Sequence, residues 1–181
     1  MKNKFFIIEG ILLLVFASST LFAQNNSDAI KDFAQSVRNH KNIEVSFSYK
    51  IIGDPKQPEE AQVGNAYFQK ESYKVILEDQ HTISDGKTVW HYLVEDEEVM
   101  VGDATDDDSP FKILEELEKD SSGITPITDK KGNLIGFEMD LDEGAQLILN
   151  ITEIKFDQNF PKGFFKFDEK AYPDVEIIDM R

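Results

Sequence analysis

The alternation of apolar and polar residues divides this chain into a short helix followed by a long series of strands. Between Ser27 and His40 the apolar residues are three or four positions apart, which predicts an amphipathic helix capped by Ser27. These apolar residues are Ile30, Phe33, Ala34 and Val37. From Ile43 to Ile52 the period changes to two, which predicts a half-buried antiparallel strand.

Further alternating segments follow, separated by turn residues. They cover residues 62–70, 72–79, 86–94, 97–101, 124–141, 145–157 and 163–168, with a hairpin turn around Lys131-Gly132-Asn133. Ser109-Pro110 interrupts the series and predicts a second helix, because proline is favoured at the first helical position. An antiparallel sheet with this many strands must curl, so we expect an open or partly closed β-barrel whose mouth the helices plug.

The first 23 residues differ from the rest of the chain. Lys2 and Lys4 precede an apolar run that ends in small residues at Ala23, which is the layout of a secretory signal peptide. We therefore expect cleavage after Ala23 and a single domain over residues 24–181. A membrane anchor is the alternative, but the run is short and Glu9 interrupts it.

The net charge argues against two classes of partner, nucleic acids and anionic membrane surfaces. The formal net charge is −16, and residues 1–23 contribute +1 from Lys2, Lys4 and Glu9, so residues 24–181 carry −17. A field of this sign repels phosphate backbones and anionic membrane surfaces, so we expect no nucleic-acid binding. A basic protein partner, or a role of the charge in solubility alone, fits better. The chain has no cysteine, which excludes disulfides, thiol chemistry and a lipid-anchoring cysteine.

The polar residues give little sign of a catalytic or metal site. His40, His81 and His91 are scattered, and the sequence has no nucleophile elbow, phosphate-binding loop or dinucleotide fingerprint. Asp85 and the acids at Glu95–Glu98 fall at two predicted turns. The eight residues between them would separate them by roughly 25 Å, whereas a carboxylate-based hydrolase needs a pair within about 10 Å. We therefore predict no metal, and we keep the hydrolase as a less favoured alternative.

Aromatic residues are abundant, with 14 Phe and 5 Tyr. A curled sheet with one aromatic face either fills itself with side chains or leaves a cavity for an apolar ligand. The period of the pattern does not choose between these two outcomes.

Four segments, in order along the chain, resemble the family of periplasmic lipoprotein carriers, LolA. Residues 84–92, "SDGKTVWHY", are similar to the family's S-D-G-K-x-[LV]-W-x-Y segment. Residues 63–70, "VGNAYFQK", resemble its second strand, and residues 109–114, "SPFKIL", resemble its P-F-x-x-L helix. Residues 165–181 resemble its closing strand and D-x-R terminus. The resemblance covers essentially all of residues 24–181.

The resemblance implies a mainly β fold with helices (α+β), in which an incomplete antiparallel β-barrel, or half-barrel, is covered by a helical lid. It implies no catalytic residues and no cofactor. Members of the family are periplasmic chaperones that bind the acyl chains of outer-membrane-directed lipoproteins. They take this cargo from an inner-membrane lipoprotein-releasing ABC transporter and deliver it to an outer-membrane acceptor where one is present. The resemblance further implies a monomer.

The same resemblance assigns a cavity for acyl chains. From strand parity, its residues are Tyr67, Tyr73, Val75, Leu77, Trp90 and Tyr92 on the sheet, Phe33 and Val37 on the first helix, and Phe111, Leu114 and Leu117 on the second. A one-residue slip would point Val89 and Leu93 inward instead of Trp90 and Tyr92, so this choice stays open. Lys70 matches a family arginine that latches the lid, although lysine lacks the planar fork for bidentate bonding.

Three alternatives to the carrier remain. One is another periplasmic lipid-binding or envelope-stress-sensing protein on the same barrel, and a second is the hydrolase. The third is a purely structural surface protein.

Overall fold

A computed structural model of the chain describes residues 26–53, 60–104, 123–141 and 144–181. The expected signal peptide (1–23) and the expected second helix, with Phe111, Leu114 and Leu117, lie outside these described residues.

One helix and ten strands make up the described part of the chain. The helix is α1 (Asn26–Asn39), and the strands are β1 (Asn42–Ile52), β2 (Gln62–Gln69), β3 (Ser72–Ile76), β4 (Gln80–Ser84), β5 (Thr88–Leu93), β6 (Glu98–Asp103), β7 (Ile124–Thr128), β8 (Leu134–Asp140), β9 (Gln146–Phe156) and β10 (Glu176–Asp179).

The apolar stripe of α1 explains how the helix packs. Ile30, Ala34 and Val37 are buried, and α1 lies against β7 and β8. The helix ends where the His40 amide bonds the carbonyl of Val37 and the His40 ring bonds the carbonyl oxygen of Ser36 at 2.7 Å. The His40 ring then stacks on Phe156 with their centroids 3.9 Å apart, which fixes the path of the chain from α1 into β1.

All ten strands belong to one sheet, in the order β10-β6-β5-β4-β3-β2-β1-β9-β8-β7. Neighbouring strands are antiparallel, except that β10 runs parallel to β6. Within the described ranges, the end strands β10 and β7 do not pair with each other, so the sheet is open. This mainly β architecture with a helix confirms the predicted half-barrel fold class.

Two local predictions are wrong. Residues 80–84 form β4, which the sequence pattern did not predict because Gln80, Thr82 and Ser84 are polar. Hydrogen bonds satisfy these polar side chains of the strand. Gln80 Nε2 donates to Thr82 Oγ1, and the Gly86 amide donates to Ser84 Oγ. Residues 163–168, predicted as a strand, instead form successive turns closed by short-range backbone hydrogen bonds.

Candidate functional site

The strand pairings sort the side chains onto two faces, because directly paired residues point to the same side of a sheet. On β1, Phe47 pairs with Gly64 and with Ile151, and Tyr49 pairs with Leu149. We call this side the Tyr49 face. The other side, which carries Tyr92 on β5, is called the Tyr92 face.

An apolar cluster occupies the Tyr49 face over β1, β3, β7, β8 and β9. Its buried members are Tyr49, Ile51, Leu77, Met139, Ala145 and Leu147. Around them lies a set of apolar side chains that are only half buried: Phe47, Val75, Ile124, Phe137, Leu141 and Leu149. The described part of the chain therefore presents a continuous apolar surface here that is not fully covered, which suits an apolar ligand.

A hydrogen bond between two side chains lies at the edge of this surface. The Tyr49 hydroxyl donates a hydrogen bond to Gln62 Oε1 at 2.5 Å. Burial, together with the nearby carboxylates of Asp79 and Glu78, raises the pKa of the Tyr49 phenol to about 12. Tyr49 is therefore a neutral hydrogen-bond donor at physiological pH and does not act as a base.

The Tyr92 face over β4, β5 and β6 is filled by the C-terminal segment, residues 157–175. Phe167 joins a buried cluster that also contains Ile83, Tyr92, Val99 and Val101. The ring centroids of Tyr92 and Phe167 are 5.6 Å apart, and those of Tyr92 and Tyr172 are 4.9 Å apart. The Tyr92 face and residues 157–175 together form a second hydrophobic core.

Two basic side chains, Lys74 and His81, lie beside that second core. The Lys74 ammonium is 4.9 Å from the ring centroid of Phe164, a cation–π contact. Burial lowers the pKa of Lys74, while burial and the charge of Lys74 lower the pKa of His81. Both effects favour the neutral form of His81, whose ring packs edge-on against Tyr92 with centroids 5.5 Å apart.

The six predicted cavity residues on the strands do not share one face. Tyr73, Val75 and Leu77 lie on the Tyr49 face, as predicted together. The other three are Tyr67, Trp90 and Tyr92, and they lie on the Tyr92 face. Placing all six together was wrong, because Phe68 pairs with Tyr73 and so directs Tyr67 to the opposite side.

The predicted residues of α1 have different exposures. Val37 is buried on the apolar stripe of the helix, and Phe33 is half buried.

Lys70 is exposed in the turn between β2 and β3, where its φ is 54°. It lines an open surface groove of about 470 Å³ with Gln69, Glu71, Ser72 and Asp85. Its role as a latch stays a prediction.

Residues on β1 and β9 are among the parts of the apolar surface that the sequence prediction omitted, together with Ile124, Phe137 and Met139 on β7 and β8. Phe47, Tyr49 and Ile51 alternate along β1, and Leu147 and Leu149 oppose them from β9. Both strands were predicted from their alternation. Their pairing was not, because β1 and β9 are about a hundred residues apart in sequence, and so their shared face was missed.

The candidate carboxylates are separated by a full strand. Asp85 lies between β4 and β5, where its Oδ1 accepts hydrogen bonds from the amides of Lys87 and Thr88, each 3.0 Å long. Burial raises the pKa of Asp85, but these amides and Lys166, 3.2 Å away, outweigh burial and lower it. The acids at Glu95–Glu97 lie in the turn after β5, whose six residues span roughly 20 Å. These groups cannot share a substrate atom, so the proposed hydrolase loses its catalytic pair.

Two kinds of feature are absent from the described residues. No group of three or more His, Asp or Glu side chains there could hold a metal ion. No helix there is long and apolar enough to cross a membrane.

Comparison with known proteins identifies the fold. No protein-family model matches the chain, and no curated protein matches it. Among solved structures, an uncharacterized conserved protein from Thermus thermophilus has a TM-score of 0.52 at 12% identity, covering 84% of this chain and 98% of that one. This similarity shows a shared fold.

Two further structures are similar at lower scores. A putative outer membrane lipoprotein-sorting protein domain from Vibrio parahaemolyticus has a TM-score of 0.43 at 10% identity, covering 78% of this chain and 97% of that one. A LolA superfamily protein from Nitrosomonas europaea has a TM-score of 0.41 at 10% identity, covering 79% and 98%. The open antiparallel sheet with its N-terminal helix agrees with the half-barrel fold that the sequence motifs implied.

Proposed function

We propose that this protein is a periplasmic carrier that binds the acyl chains of lipoproteins on its Tyr49 face. The observation that carries the proposal is the half-buried apolar surface of that face, which contrasts with the filled Tyr92 face. The four segments that resemble LolA, including residues 84–92, support the same function.

The physical requirement on such a carrier explains why a broad surface suits the task. Each CH₂ group taken out of water contributes about 0.8 kcal/mol, so a lipoprotein's acyl chains need a large apolar surface to stay in solution. Side chains such as Val75, Leu149 and Phe137 provide an apolar surface of this kind, which is not shaped to a single ligand. A carrier that must also release its cargo is better served by such a surface than by a tight pocket.

The remaining parts of the proposal follow from the resemblance. Residues 1–23 would direct the chain to the periplasm and be removed. The cargo would come from an inner-membrane lipoprotein-releasing ABC transporter and pass to an outer-membrane acceptor. The resemblance predicts no catalytic step and no cofactor.

Cargo identification tests the proposal. The protein would be expressed with residues 1–23 in a Gram-negative host and purified from the periplasm, and co-purifying molecules would be identified by mass spectrometry. Lipoproteins with intact acyl chains would support the carrier. Free phospholipid alone would instead favour another lipid-binding protein, and an empty protein that also fails to bind a triacylated lipopeptide in vitro would contradict both.

Neighbouring residues on opposite faces provide a matched control. Val75 is on the Tyr49 face, and Ile76, which pairs with Asn65 and His81, is on the Tyr92 face. Val75→Trp should reduce binding of a fluorescent triacylated lipopeptide, because the larger side chain occupies the apolar surface. Ile76→Trp should leave binding near the wild-type level, and an equal loss in both variants would show that the Tyr49 face is not the binding surface.

A further inference from the structure

The edge strand β10 has hydrogen-bonding groups that the sheet does not use. The amides of Glu176 and Met180 donate to the carbonyls of Glu97 and Val101 on the β6 side, each at 2.8 Å. Because alternate residues of a strand direct their backbone groups to opposite sides, the N–H and C=O groups of Ile177 and Asp179 point away from β6. No strand among the described residues pairs with that outer side.

The opposite edge of the sheet has two protective features that β10 lacks. On β7, Pro126 has no amide to offer, and the pairing with β8 is irregular between Ile127 and Thr128. Both features are common defences against the addition of another strand. β10 has neither proline nor irregularity, and its two central residues are exposed isoleucines, Ile177 at 43% and Ile178 at 36%.

The charges around β10 indicate which charge a partner's segment should carry. Glu176 is paired directly with Glu98 across the strands, an arrangement of like charges that is unfavourable. The exposed acids at Glu95–Glu97 lie in the adjoining turn. At the other end of β10, Arg181 already supplies a cation to Asp179 at 2.6 Å, but the ion pairs of the described residues include none for Glu98 or Glu176.

We propose that β10 accepts an additional β-strand from a protein partner whose extended segment is apolar in the middle and carries lysine or arginine at its end. The added strand bonds the outward backbone groups of Ile177 and Asp179. Its apolar side chains lie beside Ile177 and Ile178, and its cation relieves the repulsion between Glu176 and Glu98. A second copy of this chain is a poor candidate, because each copy carries a net charge of −16.

Synthetic peptides test this inference on the protein lacking residues 1–23. One peptide alternates valine and threonine between terminal lysines, a second has glutamates at the ends, and a third has the lysines but N-methyl groups on alternate amides. Isothermal titration should show the lysine peptide binding roughly fivefold more tightly than the glutamate peptide. The N-methylated peptide should not bind measurably, since it cannot complete the backbone ladder.

Two further measurements locate the site and its charge preference. The NMR signals of the Ile177 and Asp179 amides should shift on addition of the lysine peptide, while the Thr125 amide on β7 should not. Glu176→Lys should remove or reverse the preference for lysine over glutamate. Unchanged amide signals at β10, an unchanged preference in the variant, or a concentration-dependent dimer that is broken by Ile177→Lys would each overturn the proposal.

Discussion

The ring of Phe47 lies across Gly64 on the neighbouring strand, in the space that a side chain at position 64 would occupy. A Cβ added to Gly64 would be 2.5 Å from Phe47 Cζ and 2.7 Å from Leu77 Cδ2. Because Gly64 has no side chain, the Phe47 ring can occupy this space on the Tyr49 face of β2. The apolar surface proposed to hold acyl chains depends on this glycine for its shape.

Gly64→Ala should destabilise the fold and alter the Tyr49 face. Both Phe47 and Leu77 would have to move, and overpacking of this kind costs about 1–3 kcal/mol. Urea unfolding followed by circular dichroism measures the loss. Gly102→Ala is the control, because a Cβ there would be 3.6 Å from Val89 Cγ1, an ordinary contact. Equal stability of both variants would show that Phe47 does not depend on Gly64.

Gly136→Ala should be more harmful than Gly64→Ala. The Cβ at position 136 would collide with the carbonyl oxygen of Leu149, and a backbone atom cannot rotate aside as Phe47 can. We expect the free energy of unfolding to fall by about 3 kcal/mol. The amide hydrogens that bond β8 to β9 should exchange with solvent faster. Amide hydrogen exchange at Phe137 and Met139 measures this effect, and unchanged protection there would contradict the explanation.

The pKa of Tyr49 predicts a loss of stability at high pH. Because its folded-state pKa of about 12 exceeds the ordinary value of 10.0, the folded protein holds this proton more tightly than the unfolded chain does. The resulting stability is fully present below pH 10 and is lost as the pH rises toward 12. Tyr49→Phe lacks the phenol, so its deficit relative to the wild type, about 1 kcal/mol from the bond to Gln62, should shrink in this window.

The comparison with Tyr49→Phe removes the contributions of the other tyrosines, which titrate alike in both proteins. Urea unfolding at several pH values from about 8 to 11 provides the free energies. If the difference between the two proteins stays constant over that range, Tyr49 is not protected in the folded state.

Asp85 gives a prediction of opposite sign at low pH. Its folded-state pKa lies below the ordinary 3.8, so its contribution to stability is present above that value and is lost as the pH falls through the lower, folded-state pKa. Asp85→Asn keeps an oxygen acceptor for the turn but removes the charge. Its deficit relative to the wild type should therefore be full near neutral pH and vanish in strong acid, as measured by urea unfolding.

A second variant separates the turn from the ion pair. Lys166 is largely exposed, so Lys166→Met should cost less than Asp85→Asn. A larger loss in the lysine variant would mean that the ion pair, and not the amide hydrogen bonds, stabilises this turn.

The sequence predicts which side chains share a face of the sheet on some strands but not on others, and the reason is physical. On β1 the apolar residues, such as Tyr49 and Ile51, alternate with polar ones, so one face is plainly apolar. On β5 both faces are apolar, with Val89 and Leu93 on one side and Trp90 and Tyr92 on the other. Alternation therefore could not choose a face there, and the segment that covers Trp90 and Tyr92 is about seventy residues further along the chain.

The position of Trp90 leads to a fluorescence test of which face binds lipid. Trp90 is the only tryptophan and lies on the Tyr92 face, packed against the cluster that contains Phe167. If acyl chains bind the Tyr49 face, a brominated fatty acid should quench Trp90 only weakly, because quenching requires close approach. A variant with Trp90→Phe and Phe137→Trp moves the single indole to the Tyr49 face and should be quenched strongly at the same ligand concentration. Strong quenching of the wild type, with none in the variant, would place the lipid on the Tyr92 face and require the C-terminal segment to move aside.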